Sequence, residues 1–151
     1  MIERFERFSV AISKISYHWH KLAADEMGKY GLKSTHAIYL TTMYRFKEGI
    51  TAPKLCELCG KDKSDVSRMM SIMEKKGLVK KHAVNQNLYR GLLKLTEEGK
   101  KAAKLVCSRA RKAVEFAGTG LSEQERNNLY NALELIVANL NRLSKEGIPQ
   151  Q

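Results

Sequence analysis

Lys63, Ser64, Ser67, Arg68 and Ser71 follow one another at steps of one and three residues, so on a helix they share one face. Val66, Met69, Met70 and Met73 fall on the other side as an apolar stripe. Two cations and three small hydroxyls near a helix start can donate to anionic oxygens, where the aligned backbone N–H groups already favour negative charge. An arginine fork can pair with the two acceptors of guanine, and serines reach either phosphates or base edges. A solvated polar face has a similar composition, so the surrounding sequence has to separate the two.

Other reactive side chains carry less. Cys56 and Cys59 have a Cys-x-x-Cys spacing, but no second such pair and no histidine pair at finger spacing follows. Core packing is the expected role, with redox sensing and metal binding as the alternatives. Cys107 lies in a basic stretch where a low-pKa thiol is conceivable, but most lone helical cysteines are inert. His18 and His20 are two residues apart on a helical stretch and face different directions, and His36 is isolated. No nucleophile elbow, phosphate loop, metal-ligand helix or catalytic carboxylate pair is visible. The expectation is a protein that is not an enzyme and needs no cofactor or metal.

Around these residues the pattern is mainly helical. Ile2, Phe5, Phe8, Ile12, Ile15, Trp19 and Leu22 keep a helical period to about Met27. Residues 32–46 read as one helix with Ser34 as N-cap. Gly49-Ile50-Thr51 breaks it, and a short helix from Pro53 to Cys59 ends at Gly60. Asp62 is the expected cap of the next helix, with Asp65 as reciprocal partner in a capping box, and Gly77 as its stop. Leu78 to Val84, a polar turn Asn85-Gln86-Asn87 and an alternating return from Tyr89 to Leu95 read as a hairpin. A long helix runs from Thr96 to about Ala117, and Gly118-Thr119-Gly120 breaks it. Ser122 and Glu125 then cap a last helix with Leu129, Leu133, Ile136, Leu140 and Leu143 on its apolar face. The order predicts a mainly α chain with a small β-hairpin wing (α+β). It is a winged helix-turn-helix, flanked by N- and C-terminal helices whose wide apolar stripes suit dimerisation.

The charge is localised. Residues 61–112 hold 15 Lys and Arg against 5 Asp and Glu, a net +10 in a chain of net +11. That is the footprint of a polyanion partner. An anionic membrane would favour basic terminal helices, and the termini are the least basic parts. No apolar run reaches about 18 residues, so no membrane span is expected. The first seven residues alternate charged and apolar groups, unlike a secretory leader, and an odd cysteine count suits a reducing compartment; cytoplasm is the expected location. At 151 residues the expectation is one domain.

From Leu55 to Gly99 the chain resembles the MarR family of multiple-antibiotic-resistance regulators. The carrying residues are Leu55-Cys56-Glu57-Leu58-Cys59-Gly60, then Asp62-Lys63-Ser64-Asp65-Val66-Ser67-Arg68, Glu74-Lys75-Lys76-Gly77-Leu78-Val79 and Leu95-Thr96-Glu97-Glu98-Gly99. The resemblance implies a homodimeric regulator, expected as a repressor, on a pseudo-palindromic operator in double-stranded DNA. The DNA-binding part would span about 32–96, and the dimerisation helices about 2–27 and 97–146. Lys63, Ser64, Ser67, Arg68 and Ser71 would contact DNA. The family's wing carries Asp-x-Arg, where this chain has Asn87-Leu88-Tyr89; Arg90, one position on, is the expected substitute. A small-molecule effector is implied in a crevice between the two sets of helices, with Tyr17, Trp19, His20, Tyr39 and Met43 as its candidate lining. An architectural DNA-binding protein and a winged helix turned to protein contact are the rival readings.

Overall fold

The computed structural model describes residues 2–84 and 87–150, and side chains outside the stretch 83–90. Helix α1 (Arg4–Gly28) is followed by one 3-10 turn (Ser34–His36) and by α2 (Ala37–Tyr44). A two-residue strand β1 (Ile50–Thr51), α3 (Ala52–Cys59) and α4 (Lys63–Lys75) come next. Strands β2 (Val79–Val84) and β3 (Asn87–Leu95) lead into α5 (Glu97–Ala117), and α6 (Glu123–Glu146) is the last helix. The chain divides into two compact units, Met1–Arg111 and Lys112–Gln151.

The first unit is built around one core. Tyr39, Leu40 and Met43 from α2, Leu55 from α3, and Val66, Met70 and Met73 from α4 are all buried there, with Val79, Leu93 and Leu95 from the sheet. The expected hairpin is part of a three-stranded antiparallel sheet in the order β1-β3-β2. Ile50 and Thr51 pair with Leu93 and Leu92, which corrects their reading as a simple break. Two residues are too few to show a strand's alternation, so only the partner strand reveals them. Along β3 the expected alternation holds, with Gly91, Leu93 and Leu95 buried and Leu92 and Lys94 between them partly exposed.

Start and stop signals explain most boundaries. Thr51 caps α3 by accepting from the Lys54 N–H at 3.4 Å, and Gly60 closes it at φ +62°, a left-handed position that glycine adopts without strain. Gly99 is required for a different reason. A Cβ there would come within 2.0 Å of the Leu78 carbonyl oxygen. That carbonyl accepts from the Thr96 N–H at 3.0 Å, and the Thr96 hydroxyl donates to the Gly77 carbonyl at 2.7 Å. The Thr96 oxygen also accepts from the Gly99 N–H at 3.0 Å, so this residue caps α5 while it locks α5 to the end of the α4–β2 turn.

One predicted helix start is corrected. Residues 32–46 are not a single helix capped by Ser34; a 3-10 turn precedes α2, and the His36 ring Nδ1 accepts from the Lys33 N–H at 3.0 Å. The imidazole stands at the third position of the turn and accepts from the N–H of the residue before it, as the reciprocal partner of a capping box does. His36 is 2% exposed, and burial holds its pKa below the usual histidine value, so the ring is neutral there.

In the second unit the expected cap of α6 is present. The Glu125 N–H donates to Ser122 Oγ at 3.3 Å and the Ser122 N–H to Glu125 Oε2 at 2.7 Å. Arg126 Nη1 reaches Glu115 Oε2 at 2.8 Å and its Nη2 the Gly118 carbonyl at 3.0 Å, which pins the turn before α6.

Candidate nucleic-acid interface

The interface is built outward from Asp62, where the backbone is extended and α4 begins. Asp62 Oδ1 accepts from the Asp65 N–H at 2.8 Å and from the Ser64 hydroxyl at 2.9 Å. The Asp65 N–H above all, then the Ser64 hydroxyl, holds the Asp62 carboxyl below the usual carboxylate range. The expected reciprocal bond from Asp65 is not made. Its side chain turns inward instead, where the Tyr39 hydroxyl donates to Asp65 Oδ2 at 2.5 Å. A phenol buried in the core has no water to turn to, so the carboxylate is its partner, and the bond is charge-assisted. Burial first, then the bond and charge of Asp65, push the Tyr39 pKa far above its ordinary value, so the phenol remains a donor.

Because Val66, Met70 and Met73 are at most 1% exposed, the opposite face of α4 is held outward. The structure brings Lys63, Ser64, Ser67 and Arg68 together there, all exposed. The Arg68 side chain is 65% exposed, with Nη2 at 3.4 Å from Asp65 Oδ1. Ser71 differs from the other four. It is half-buried, its hydroxyl donates to the Ser67 carbonyl at 3.0 Å, and it accepts from Lys81 Nζ of β2 at 3.3 Å. Lys81 also lies 3.3 Å from Glu74 Oε2, so this lysine ties the wing to α4. Arg90 belongs to β3, but its side chain lies outside the described residues.

Sequence reasoning gives Asp65 and Tyr39 other roles and gives Lys81 none. Tyr39 stands 26 residues before Asp65, and no local spacing signals such a pairing. For Lys81, alternation along β2 shows a polar position but not its neighbour on α4.

The five residues expected to line a crevice are not gathered in this chain. Tyr39 and Met43 are core residues at 0% and 2% exposure, whereas Tyr17, Trp19 and His20 lie on the exposed surface of α1. Met43 borders a cavity of about 550 Å³ with Tyr44, Phe46 and Leu95 as further apolar lining and Lys100 and Lys104 as cationic lining.

Cys59 is buried, with its thiol 3.6 Å from Thr42 Oγ1, and Cys56 is half-buried against the core; both are free thiols. Burial pushes the Cys59 thiol up. Burial also raises the Cys107 thiol, and the nearby Arg111 opposes that less strongly, which agrees with an unreactive helical cysteine. Among the described residues no three His, Cys, Asp or Glu side chains gather as a metal site. No described helix is long and apolar enough to cross a membrane.

A short helix, a glycine turn, a second helix with an outward polar face and an adjoining two-stranded wing define the winged helix-turn-helix class. Residues 30–86 match the model of the MarR family. A MarR family transcriptional regulator from Listeria monocytogenes, solved with a 26mer DNA, has a TM-score of 0.81 at 25% identity, over 100% of this chain and 99% of its own. A MarR transcriptional regulator from Methanosarcina mazei Go1 gives 0.79 at 22% identity, over 95% and 94%. MepR of S. aureus, solved as a DNA complex, gives 0.80 at 19% identity, over 91% and 99%. No curated protein matches the chain by sequence. The segment 30–86 is thus similar to the MarR family in sequence, and the chain shares the fold of MarR-type regulators.

Proposed function

We propose that this chain is a sequence-specific transcriptional regulator that binds double-stranded DNA as a homodimer on a pseudo-palindromic operator. The observation that carries it is the outward face of α4, where Ser64, Ser67 and Arg68 stand exposed near a helix start while the opposite stripe is locked in the core. The net +10 of residues 61–112 supplies the attraction to phosphates. Two MarR-type regulators of the same fold were solved with DNA, which supports DNA as the partner.

Residues 1–151 act as one functional domain. About 32–96 meet DNA, and about 2–27 and 97–146 pair two copies. Lys63, Ser64, Ser67, Arg68 and Ser71 meet the major groove and its phosphates, and Arg90 meets the wing's groove. The protein works in the cytoplasm as a repressor and not as an enzyme. A small-molecule effector acts by shifting the spacing of the two α4 helices, because half-sites one turn apart, about 34–36 Å, demand a fixed distance.

The test is binding to a selected pseudo-palindrome and to its scrambled version over a salt series. Tighter binding to the matched duplex at every salt concentration is expected. Equal affinity for both would point to an architectural protein, and no affinity for either to a protein-contact module.

A further inference from the structure

An exposed arginine has many rotamers, and ordering one on a partner carries a cost that a prearranged side chain avoids. Arg68 is not left to itself. Asp65 divides its two carboxylate oxygens between the buried Tyr39 hydroxyl, at 2.5 Å, and Arg68 Nη2, at 3.4 Å. Its backbone N–H is held by Asp62 at 2.8 Å. Tyr39 in turn is 0% exposed and fixed in the core of α2.

We infer that Tyr39 and Asp65 are positioning residues for Arg68: a core phenol fixes a carboxylate, and the carboxylate sets the guanidinium for base readout. The inference rests on the DNA-binding function proposed above. The Arg68–Asp65 pair is loose and exposed, and such pairs add little stability, so its consequence is orientation. Arg68 spends at most one of its five donors on Asp65 and keeps the rest for a base edge. The carboxylate also places a negative charge among the cations of α4. That charge opposes indiscriminate phosphate binding, and a guanidinium paired to a base offsets it.

Tyr39→Phe removes one oxygen and keeps the ring's packing. Its effect is measured on the ratio of matched to scrambled DNA affinity, alone and combined with Arg68→Ala. The single variant should lower the ratio roughly three- to tenfold, the scale of one unfixed side chain, with little change on scrambled DNA. In the Arg68→Ala background it should leave the ratio unchanged. Asp65→Asn should tighten binding to scrambled DNA and lower the ratio. NMR of the Arg68 guanidinium in the free protein supplies a readout without DNA, and Tyr39→Phe should speed its rotation. The relay is overturned if Tyr39→Phe weakens both DNAs by one factor, if its effect persists without Arg68, or if Arg68 rotation does not change. A wild-type protein that binds both DNAs equally sinks the sequence-specific reading instead, and the NMR result still decides the relay.

Discussion

Helices α4 and α6 obey the same local rules and meet different fates. Each starts at a side-chain cap, Asp62 or Ser122, and each carries an apolar stripe at helical spacing. On α4 the stripe is sealed, with Val66, Met70 and Met73 at most 1% exposed. On α6 no residue is buried, and Leu133 and Leu140 stay 39% and 47% exposed. Helix α1 resembles α6, with Phe5 and Ile15 at 69% and 67% exposure and Met27 its one buried residue. Local sequence makes an amphipathic helix, but it does not say whose surface covers the stripe. For α4 the cover comes from the same chain. For α1 and α6 we expect a second copy, since exposed apolar patches of this extent mark interfaces.

The sharpest way to break this contrast is to charge the open stripe. Leu133→Glu with Leu140→Glu should turn a dimer into a monomer in sedimentation at micromolar concentration. Operator affinity should drop by about a hundredfold or more as the second half-site contact is lost. A wild-type monomer, or a doubly charged variant that still dimerises, would remove α6 from the interface.

The sealed region should instead fail through packing. Gly99→Ala places a methyl group against the Leu78 carbonyl oxygen, at the join of α5 to the sheet. Backbone cannot yield as a flexible side chain does, so a loss of about 1–3 kcal/mol in urea unfolding is expected. A neutral substitution would show that this junction relaxes freely.

Two arginines should separate base readout from phosphate attraction. If Arg68 pairs with a guanine, Arg68→Ala should cost roughly 1–3 kcal/mol on matched DNA and flatten preference at one position per half-site. Arg90→Ala should weaken matched and scrambled DNA alike. Each lost phosphate contact lowers the slope of log affinity against log salt by about 0.9, and a dimer loses two. The opposite pattern would mean that wing and helix have exchanged roles.

How much could be read in advance follows the same division. Asp62, Gly60, Gly77, Ser122 and the stripe through Val66 and Met73 announce themselves, because caps and periods act over three or four residues. The outward placement of Lys63, Ser64, Ser67 and Arg68 follows from that stripe. Strand β1 was not legible, since two residues have no period and Ile50 is defined by Leu93, 43 residues away. Asp65 was misassigned for a related reason. At the third position of a helix a carboxylate suits a capping box, and only the fold brings Tyr39 close enough to claim it. Tyr17 and Tyr39 looked alike as aromatic residues of neighbouring helical stretches, yet one is 64% exposed and the other buried. Sequence period alone does not rank the faces of a helix such as α1, which is apolar on several sides.

The smallest effect should come from the cap of α4. Asp62 holds the Asp65 N–H and the Ser64 hydroxyl, and these bonds lower its pKa in the folded chain. A carboxylate depressed by folding stabilises the fold at pH values above its unfolded value, which is about 3.9 for Asp. That contribution begins to fade below about pH 5 and is gone once the pH lies under the folded value. Asp62→Asn keeps an oxygen that can cap the helix but removes the titrating charge and its attraction to the helix start. Wild type should therefore unfold at a slightly higher urea concentration than Asp62→Asn near pH 7, and the gap should close on acidification. Other carboxylates titrate in both proteins and cancel in the difference, including Glu125 in the cap of α6, which its Ser122 bonds also hold low. Urea midpoints of the two proteins measured from about pH 7 down to about pH 3 give the comparison directly. A gap that stays constant or widens as the pH falls would mean that the Asp62 charge does not stabilise α4.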